Sequence, residues 1–382
     1  MLSPFWIGAA KAGCKTALIN TSLSGQFLLH SIQISRAKFI ISHRDYYNGP
    51  LASIMDELSP DVKLMVYDDG GEVRTSKFIS LNLELEKANR INPTPDAYNN
   101  LSLTDQVLMI YTSGTTGLPK AAKISGYRVH YMGWGPSYLN RWSRGNIFYT
   151  PLPLFHSSAG GLILGQMLWK GRTVVIRRQF SVSHFWPDVA KYKVTAINYI
   201  GETARFLLRA PYNQHERAHC VRFAVGNGMS AQIWRDFQIR FNIGTINEFY
   251  ASTEGNCNVM NPSGHPLSCG FLPCGPARSM FPVNVFRLDS NGELARDESG
   301  LCIPVKSGEV GMIMGKVRHD FLSRFDGYHR GDESRRKLTE NVFTHGDKER
   351  RGLLFISSNI NVSTIYDGNR RPPIPTLKRD TV

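Results

Sequence analysis

The sequence predicts an α/β fold in which βαβ units build parallel sheets, followed by a small β-rich region. Short apolar runs with β-branched or aromatic residues recur along the chain, and segments with helical spacing separate them. After Pro282 the pattern changes to short apolar runs among glycine-rich turns. At 382 residues and 42% hydrophobic, the chain is long enough for two domains or for one large domain with subdomains.

The first part of the chain contains three predicted strands, at residues 15–20, 38–42 and 63–67. Residues 26–34 lie between the first two and place their apolar side chains at helical spacing. A strand, a helix and a strand in this order predict a βαβ unit and a parallel sheet. Residues 92–100 are rich in Pro, Asn and Asp, which predicts a loop.

The pattern repeats in the middle of the chain, with predicted strands at residues 173–177, 195–199, 221–225 and 245–249. Ser183 and Ser230 are expected to cap two of the helices between them. We expect the aromatic side chains of these helices to be core residues, namely Phe185, Trp186 and Tyr192 in one and Trp234, Phe237 and Phe241 in the other. Residues 283–288 and 311–315 predict the strands of the small β-rich region.

Charge and cysteine content limit the classes of partner. The net charge of +14 favours anionic lipid surfaces, nucleic acid or polyanions such as ATP and CoA, unless the cations are spread over solvated faces. No RNA-binding signature or zinc-finger spacing accompanies the charge, so we expect no nucleic-acid partner. The six cysteines form no C-x-x-C pair, which favours reduced thiols over a zinc site or a disulfide framework. No apolar run reaches the roughly 18 residues that a membrane span requires.

The loop that ends at Lys120 is the strongest functional signal. Residues 107–111 form an apolar run typical of a buried strand, and the segment Tyr-Thr-Ser-Gly-Thr-Thr-Gly-Leu-Pro-Lys begins at its last residue. Its glycines allow backbone amides to approach phosphate oxygens, while its hydroxyls and its lysine add donors and charge. The alternative is a polar turn between strands. The phosphate-binding residues predicted here are Thr112, Ser113, Gly114, Thr115, Thr116, Gly117 and Lys120.

This order of residues resembles the phosphate-binding signature of the adenylate-forming superfamily, which comprises acyl-CoA synthetases, luciferases and peptide-synthetase adenylation domains. Further motifs are similar to those of its fatty acid transport protein and very-long-chain acyl-CoA synthetase branch. The resemblance extends from about Phe5 to Asp347. The motifs lie at residues 151–157, 180–186, 199–202, 226–228, 248–256 and 324–328.

The resemblance implies an ATP-dependent long- or very-long-chain fatty acyl-CoA ligase that is coupled to fatty acid uptake. Such an enzyme uses ATP, Mg²⁺ and CoA, and it forms an acyl-adenylate before the acyl-CoA. The family also implies peripheral contact with the endoplasmic reticulum or plasma membrane. The alternative is a non-catalytic fragment that binds nucleotide and fatty acid.

The resemblance also implies a domain organisation. Residues 1–347 correspond to the large AMP-binding domain of an adenylate-forming enzyme, incomplete at its N-terminus. Residues 348–382 match no part of the family pattern, and their composition predicts a disordered tail. The C-terminal catalytic domain of the family is therefore expected to be missing, and turnover by this chain to be impaired.

Several site residues are carried over from the resemblance. Glu254 is the expected Mg²⁺ ligand, Thr253 is expected near the α-phosphate, and Tyr250 is expected to stack on adenine. His156 either lines the acyl site with a catalytic role or is a core histidine. The backbone of Gly226, Asn227 and Gly228 either approaches adenine or forms a plain strand-to-helix turn.

Overall fold

The computed structural model describes residues 2–68, 78–89, 91–97, 99–112, 117–273, 281–306, 308–318, 323–342, 353–365 and 374–379. Contacts within the chain divide it into two compact units. Unit 1 contains Met1–Gly126 and Tyr328–Arg330, and unit 2 contains Tyr127–Gly327 and Gly331–Val382. Residues 1–347, the predicted large domain, fall in both units, and this domain organisation stays a prediction.

Unit 1 combines short helices with two three-stranded sheets, of order β1-β5-β6 and β2-β3-β4. Its α-helices are α1 Leu2–Lys11, α2 Gly25–Ser35, α3 Arg44–Tyr46 and α4 Leu81–Lys87, with a π-helical turn at Tyr47–Leu51 and 3₁₀ turns at Ala52–Glu57 and Pro95–Ala97. Its strands are β1 Thr16–Leu18, β2 Phe39–His43, β3 Lys63–Tyr67, β4 Ile79–Ser80, β5 Gln106–Thr112 and β6 Lys120–Ser125.

The predicted strands and helix at the start of unit 1 form, but the predicted βαβ unit does not lie in one sheet. β1 pairs in parallel with β5, whereas β2 pairs in parallel with β3. The helix α2 packs its leucines against the 3₁₀ turn that follows β2, and packs Ile34 against Met109 and Tyr111 of β5. β1 thus lies in the sheet of β5, whereas β2 and β3 lie in the other sheet. The helix α2 packs apolar side chains against residues associated with each of the two sheets.

Unit 2 contains a larger parallel sheet and a separate antiparallel sheet. Its α-helices are α5 Gly126–Leu139, α6 Leu164–Lys170, α7 Val182–Lys191, α8 Gly201–Arg209, α9 Ala231–Arg240 and α10 Gly331–Arg335, with a π-helical segment at Ser157–Ile163. Its strands are β7 Ile147–Thr150, β8 Thr173–Ile176, β9 Ala196–Ile200, β10 Phe223–Asn227, β11 Thr245–Tyr250, β12 Val259–Met260, β13 Gly270–Phe271, β14 Val283–Arg287, β15 Val310–Lys316, β16 Leu338–Thr339, β17 Leu353–Ile365 and β18 Ile374–Arg379.

The first sheet of unit 2 has the strand order β12-β11-β10-β9-β7-β8. All of its strands run parallel except β12, which pairs antiparallel with β11 at one edge. The chain moves from β7 outward to β8 and then returns to the other side of β7 to form β9. Such a reversal of strand order opens a crevice outside the carboxyl ends of the strands, which is where α/β proteins bind ligands.

The core of unit 2 lies between this sheet and α7, α8 and α9. As predicted, Phe185, Trp186, Trp234, Phe237 and Phe241 are all buried there. Burial of five large aromatic side chains contributes strongly to stability, since each removes well over 100 Å² of apolar surface from water.

Two details of these helices differ from the prediction. Tyr192 is 45% exposed, because it lies just beyond the last residue of α7. Ser183 is the second residue of α7, and Ser181 occupies the N-cap position instead. Ser230 is the N-cap residue of α9, as predicted.

His219 is held in a neutral form beside this core. Its Nδ1 accepts a hydrogen bond from Val221 N at 3.2 Å, and its Nε2 lies 3.1 Å from Phe241 O. Its ring stacks on Trp186 with 5.0 Å between centroids. Burial lowers the pKa of His219, and a ring that accepts at Nδ1 and donates at Nε2 must be uncharged.

The second sheet of unit 2 has the strand order β13-β18-β17-β15-β14, with β16 also paired to β17. Its neighbouring strands are antiparallel. β17 pairs with β15 on one side and with β18 on the other, so these two segments form strands, which differs from the disorder expected for residues 348–382. In β17, Ile360 and Val362 alternate with Asn361 and Ser363, which is the period of a strand.

Across the part of the chain that the structure describes, no helix is long and apolar enough to cross a membrane.

Candidate functional site

The predicted phosphate loop of unit 1 joins two antiparallel strands. Thr112 at the end of β5 lies directly opposite Lys120 at the start of β6. The hairpin register therefore places a hydroxyl and an ammonium group at the base of the loop. Four predicted residues of the loop, Ser113, Gly114, Thr115 and Thr116, lie outside the described residues.

The described part of the loop has features that fit an anionic ligand. Among the described atoms, Thr112 Oγ1 is buried and has no hydrogen-bond partner. Gly117 has φ of +93°, a conformation that favours glycine, and a Cβ there would meet nothing within 4 Å. The Lys120 ammonium lies 5.9 Å from the centroid of Tyr328. An unsatisfied buried hydroxyl is costly unless a ligand or solvent supplies its partner, which is consistent with phosphate binding.

In unit 2, the remaining predicted residues all lie at the carboxyl edge of the parallel sheet. His156 follows β7, Gly226 and Asn227 end β10, and Tyr250 ends β11. Thr253 and Glu254 come three and four residues after β11. Because carboxyl ends of parallel strands meet at one edge, three separate sequence motifs are brought to the crevice of this unit.

A hydroxyl pair connects the segments that follow β7 and β11. Ser157 Oγ lies 3.2 Å from Thr253 Oγ1, although β9 and β10 separate β7 from β11 in the sheet. The buried side chain of Asn198, in β9, connects the segment after β7 to the sheet. Its Nδ2 donates to Ser158 Oγ at 3.3 Å, and its Oδ1 accepts from Thr150 Oγ1 at 3.0 Å. The segment that carries Ser157 is therefore tied to β7 and β9 near their carboxyl ends.

Glu254 is a buried carboxylate, 8% exposed, with cationic neighbours. Its Oε1 lies 3.9 Å from Lys337 Nζ. Among the described residues, no group of three His, Cys, Asp or Glu side chains could hold a metal ion. A single carboxylate fits Mg²⁺ only when phosphate oxygens and water complete the coordination, as for an ion that arrives with a nucleotide.

Arg128 anchors the segment that carries Thr253 and Glu254. Its guanidinium is buried, and Nη2 donates to Ser252 O at 2.8 Å. Burial lowers the pKa of Arg128, and the carboxylates of Asp326 and Glu254 oppose that effect. A buried cation bonded to the backbone immediately before Thr253 fixes the position of both predicted site residues.

The glycines of the Gly-Asn-Gly motif have steric roles inside the protein. A Cβ on Gly226 would lie 2.1 Å from Tyr199 O, so the residue permits close packing of β10 on β9. Gly228 has φ of +81°, and its carbonyl oxygen would lie 1.7 Å from a Cβ on Gly201. The turn after β10 therefore needs these glycines whether or not a ligand is bound, and the contact of this turn with adenine stays a prediction.

Glu248 fixes the same turn from the neighbouring strand. It is 5% exposed, it accepts a hydrogen bond from Tyr199 Oη, and its Oε1 accepts from Met229 N at 3.0 Å. The carboxylate thus connects β9, β11 and the residue that follows Gly228. Burial and the nearby Glu248 carboxylate raise the pKa of Tyr199, which keeps the phenol protonated as a donor.

His156 and Tyr250 lie at the rim of this arrangement. His156 precedes the π-helical segment, and its carbonyl accepts from Gly160 N at 2.8 Å. His156 is exposed, although partial desolvation of the ring lowers its pKa, and its role at an acyl site stays a prediction. Tyr250 is half-buried and packs against the apolar cluster that Val259 and Val283 help to form.

Residues 4–300 match the family described as AMP-binding enzyme. The chain belongs to the AMP-binding enzyme family. Its curated relatives place it in the long-chain fatty acid transport protein branch. It is 37% identical to human long-chain fatty acid transport protein 1 over 354 residues, which cover 90% of this chain and 53% of the human protein. It is 34% identical to rat long-chain fatty acid transport protein 2 over 349 residues, covering 90% and 54%.

The chain spans about half the length of the curated relatives it matches. Solved structures confirm the predicted fold class. ATP-bound MatB from Rhodopseudomonas palustris matches with a TM-score of 0.71 at 18% identity, covering 98% of this chain and 65% of that chain. A putative long-chain fatty acid CoA ligase from the same organism matches with a TM-score of 0.68 at 18% identity, covering 97% and 81%. The anthranilate CoA ligase AuaEII, in complex with anthranoyl-AMP, gives 0.73 at 17% identity, covering 98% and 65%.

Sequence reasoning missed the supporting residues of this family member. Three of them lie outside the motifs that supplied the site residues, namely Arg128, Asn198 and Lys337. Glu248 lies inside one of these motifs but was given no ligand role. Asn198 and Glu248 do have a recognisable signal, because each is a polar residue inside an otherwise apolar strand. A buried polar side chain in a central strand requires partners, and here the partners are the loops of the site.

Proposed function

We propose that this chain binds Mg·ATP and a long-chain fatty acid, and that it activates the fatty acid carboxylate as an acyl-adenylate for transfer to CoA. The convergence of Ser157, Thr253 and Glu254 at the carboxyl edge of the unit 2 sheet carries the proposal. It is supported by the names of the relatives, which are fatty acid transport proteins, and by the adenylate and ATP complexes of proteins with the same fold.

The residues of unit 2 suit the first half of this reaction. A fatty acid carboxylate attacks the α-phosphorus of ATP, and the bond to pyrophosphate breaks. Both reactants are anions, so the protein must supply donors and a cation rather than covalent chemistry. Thr253 would donate its hydroxyl to an α-phosphate oxygen, and Glu254 would bind the Mg²⁺ that accompanies ATP. In the second half, the CoA thiol attacks the acyl carbon and AMP leaves.

The loop of unit 1 has its own proposed role. Its backbone amides and hydroxyls, together with Lys120, would bind phosphate oxygens. The buried hydroxyl of Thr112 without a partner among the described atoms supports this role. The double replacement Lys120→Ala and Thr116→Ala is expected to weaken nucleotide affinity by at least tenfold in calorimetry.

The Mg²⁺ role of Glu254 can be tested by titration. Glu254→Gln keeps the size of the side chain but removes the charge that a hard cation prefers. We expect the variant to bind ATP with an affinity that no longer rises with Mg²⁺, whereas Glu293→Gln, on an exposed turn, behaves as the wild type. An unchanged Mg²⁺ titration in Glu254→Gln would exclude the ligand role.

Turnover is measured by pyrophosphate release with oleate and CoA. We expect release by this chain to be slower than that by human long-chain fatty acid transport protein 1. Nucleotide binding without any pyrophosphate release would instead support the alternative, a protein that binds nucleotide and fatty acid without turnover. Absence of Mg·ATP binding would refute both.

A further inference from the structure

A row of aromatic side chains lies on the surface that α5 and α6 form in unit 2. His130, Trp134 and Tyr138 are spaced four residues apart on α5, so they stack along one face of the helix. The ring centroids of Trp134 and Tyr138 are 5.0 Å apart, and those of His130 and Trp134 are 6.5 Å apart. Trp169 at the end of α6 meets His130 edge-on at 4.6 Å. We call these four residues the aromatic face.

Much of the aromatic face is exposed to solvent, whereas soluble proteins rarely expose contiguous groups of large apolar side chains. Tyr138 is 67% exposed and Trp169 is 44% exposed. Leu139 and Met167 beside them are 43% and 37% exposed. A contiguous group of large apolar side chains at the surface indicates a binding surface.

The two helices beneath this face are held rigidly. Gly133 and Gly165 let them approach closely, since a Cβ on Gly133 would lie 2.9 Å from Gly165 Cα. Buried Arg172 then joins both helices, donating to Gln166 Oε1 at 2.6 Å and to Ser137 Oγ at 2.7 Å. Gln166 in turn donates to Gly133 O at 2.9 Å. The aromatic rings therefore project from a fixed platform, so a partner that binds them orders little of the chain.

The segments that form and flank the aromatic face carry only positive charges. Residues 106–187 contain nine Lys and Arg but no Asp or Glu. Arg141 and Arg144, which follow α5, are exposed, and Lys170 is next to Trp169. A second copy of the chain on a two-fold axis would bring these cations against their own copies, which disfavours self-association. An anionic partner would instead neutralise them.

We propose that the aromatic face and its flanking cations form a contact surface for anionic lipid bilayers. Tyr and Trp concentrate at the boundary between lipid and water because each has an apolar ring and a polar group. Lys and Arg near such rings bind acidic headgroups. This inference goes beyond the proposed function, and it is tested without nucleotide or acyl substrate, so its failure would leave the ligase proposal intact.

Tryptophan fluorescence reports on this surface selectively. The chain has six tryptophans, and Trp6, Trp142, Trp186 and Trp234 are all at most 7% exposed. Vesicles of phosphatidylcholine and phosphatidylserine with brominated acyl chains should therefore quench mainly Trp134 and Trp169. Quenching should be strong with anionic vesicles and weak with pure phosphatidylcholine.

Co-sedimentation with the same vesicles measures the affinity. Replacing Arg141, Arg144 and Lys170 with Gln should weaken binding about 100-fold, since each cation near an anionic surface contributes roughly fivefold. Tyr138→Ser with Trp169→Ser should weaken it at least tenfold. Matched controls are Tyr212→Ser, at a side chain 75% exposed, and Lys191→Gln with Lys193→Gln, at exposed positions elsewhere in unit 2. Circular dichroism confirms that each variant is folded.

Four results would overturn the proposal. The wild type could fail to bind anionic vesicles, or the face variants could bind as tightly as the controls. Co-sedimentation without tryptophan quenching would show that another surface meets the lipid. If the wild type instead self-associates in sedimentation equilibrium and Tyr138→Ser with Trp169→Ser abolishes that association, a second copy of the chain covers the face.

Discussion

Arg128→Gln is expected to destabilise unit 2 and to displace the segment that carries Thr253 and Glu254. The substitution removes the guanidinium that donates to Ser252 O, and it leaves a neutral amide among buried carboxylates. Arg128→Lys is the matched control for charge, because it keeps a cation at the position but has no planar fork to donate in the same geometry.

The magnitude follows from the contacts that are lost. A charge-assisted hydrogen bond contributes about 1.5–3 kcal/mol, and an uncompensated buried carboxylate raises the total toward about 3–5 kcal/mol. Lys337, 3.9 Å from Glu254, and Arg324, 2.9 Å from Asp326, still offset part of that charge. We therefore expect a loss of about 3 kcal/mol in the free energy of unfolding for Arg128→Gln, and about half of that for Arg128→Lys.

Urea unfolding followed by tryptophan fluorescence measures this loss. Five of the six tryptophans lie in unit 2, so the signal reports mainly on that unit. Calorimetry with Mg·ATP on the folded variants then shows whether the site is also displaced. A free energy of unfolding for Arg128→Gln within about 0.5 kcal/mol of the wild type, the range of ordinary surface substitutions, would refute this account of Arg128.

Two other predictions concern stability. Gly226→Ala should lower the free energy of unfolding by about 2–3 kcal/mol, because the new methyl group would overlap a backbone oxygen at 2.1 Å. In the control Gly145→Ala, the methyl group meets nothing within 4 Å, and the change should stay within about 0.5 kcal/mol. Equal urea midpoints for the two variants would contradict the steric role of Gly226. Burial lowers the pKa of His219 in the folded state, whereas the unfolded state has the usual histidine pKa of about 6.5. The unfolded state therefore binds more protons, and the free energy of unfolding should fall as the pH drops below about 6.5. His219→Gln should reduce this pH dependence, and an unchanged slope between pH 7 and pH 5 would rule out the contribution of His219.

The regular strands and helices of this chain could be predicted because their signals are local. The apolar run at residues 63–67 forms β3 with the same bounds, and Ser230 is the N-cap of α9. The aromatic residues of α7 and α9 could be assigned to the core for the same reason, since helical spacing brings them to one face. Tyr192 differs because the helix ends at the residue before it.

The assembly of the site could not be predicted from local patterns. Nothing within residues 157–253 shows that Ser157 and Thr253 meet, because their contact depends on the reversal of strand order at β7. Likewise, the glycines at 226 and 228 suggest approach by a ligand, but each also has a local role: Gly226 makes room for Tyr199 O, and Gly228 adopts a positive φ. Ser252, whose carbonyl accepts a hydrogen bond from Arg128, lies 124 residues away in the sequence.

The division of the chain into units has a consequence for its synthesis. Tyr328 bridges antiparallel to Ala122, and His329 N donates to Ala121 O at 2.8 Å, so residues 328–330 cover the edge of β6 in unit 1. The polypeptide must therefore be extended by about 200 residues after β6 before this edge can be covered. At roughly 5–20 residues per second, β6 would wait about 10–40 s on the ribosome with an open row of amide and carbonyl groups. An uncovered strand edge favours pairing with other chains, so nascent unit 1 is the part of this protein that we expect chaperones to hold.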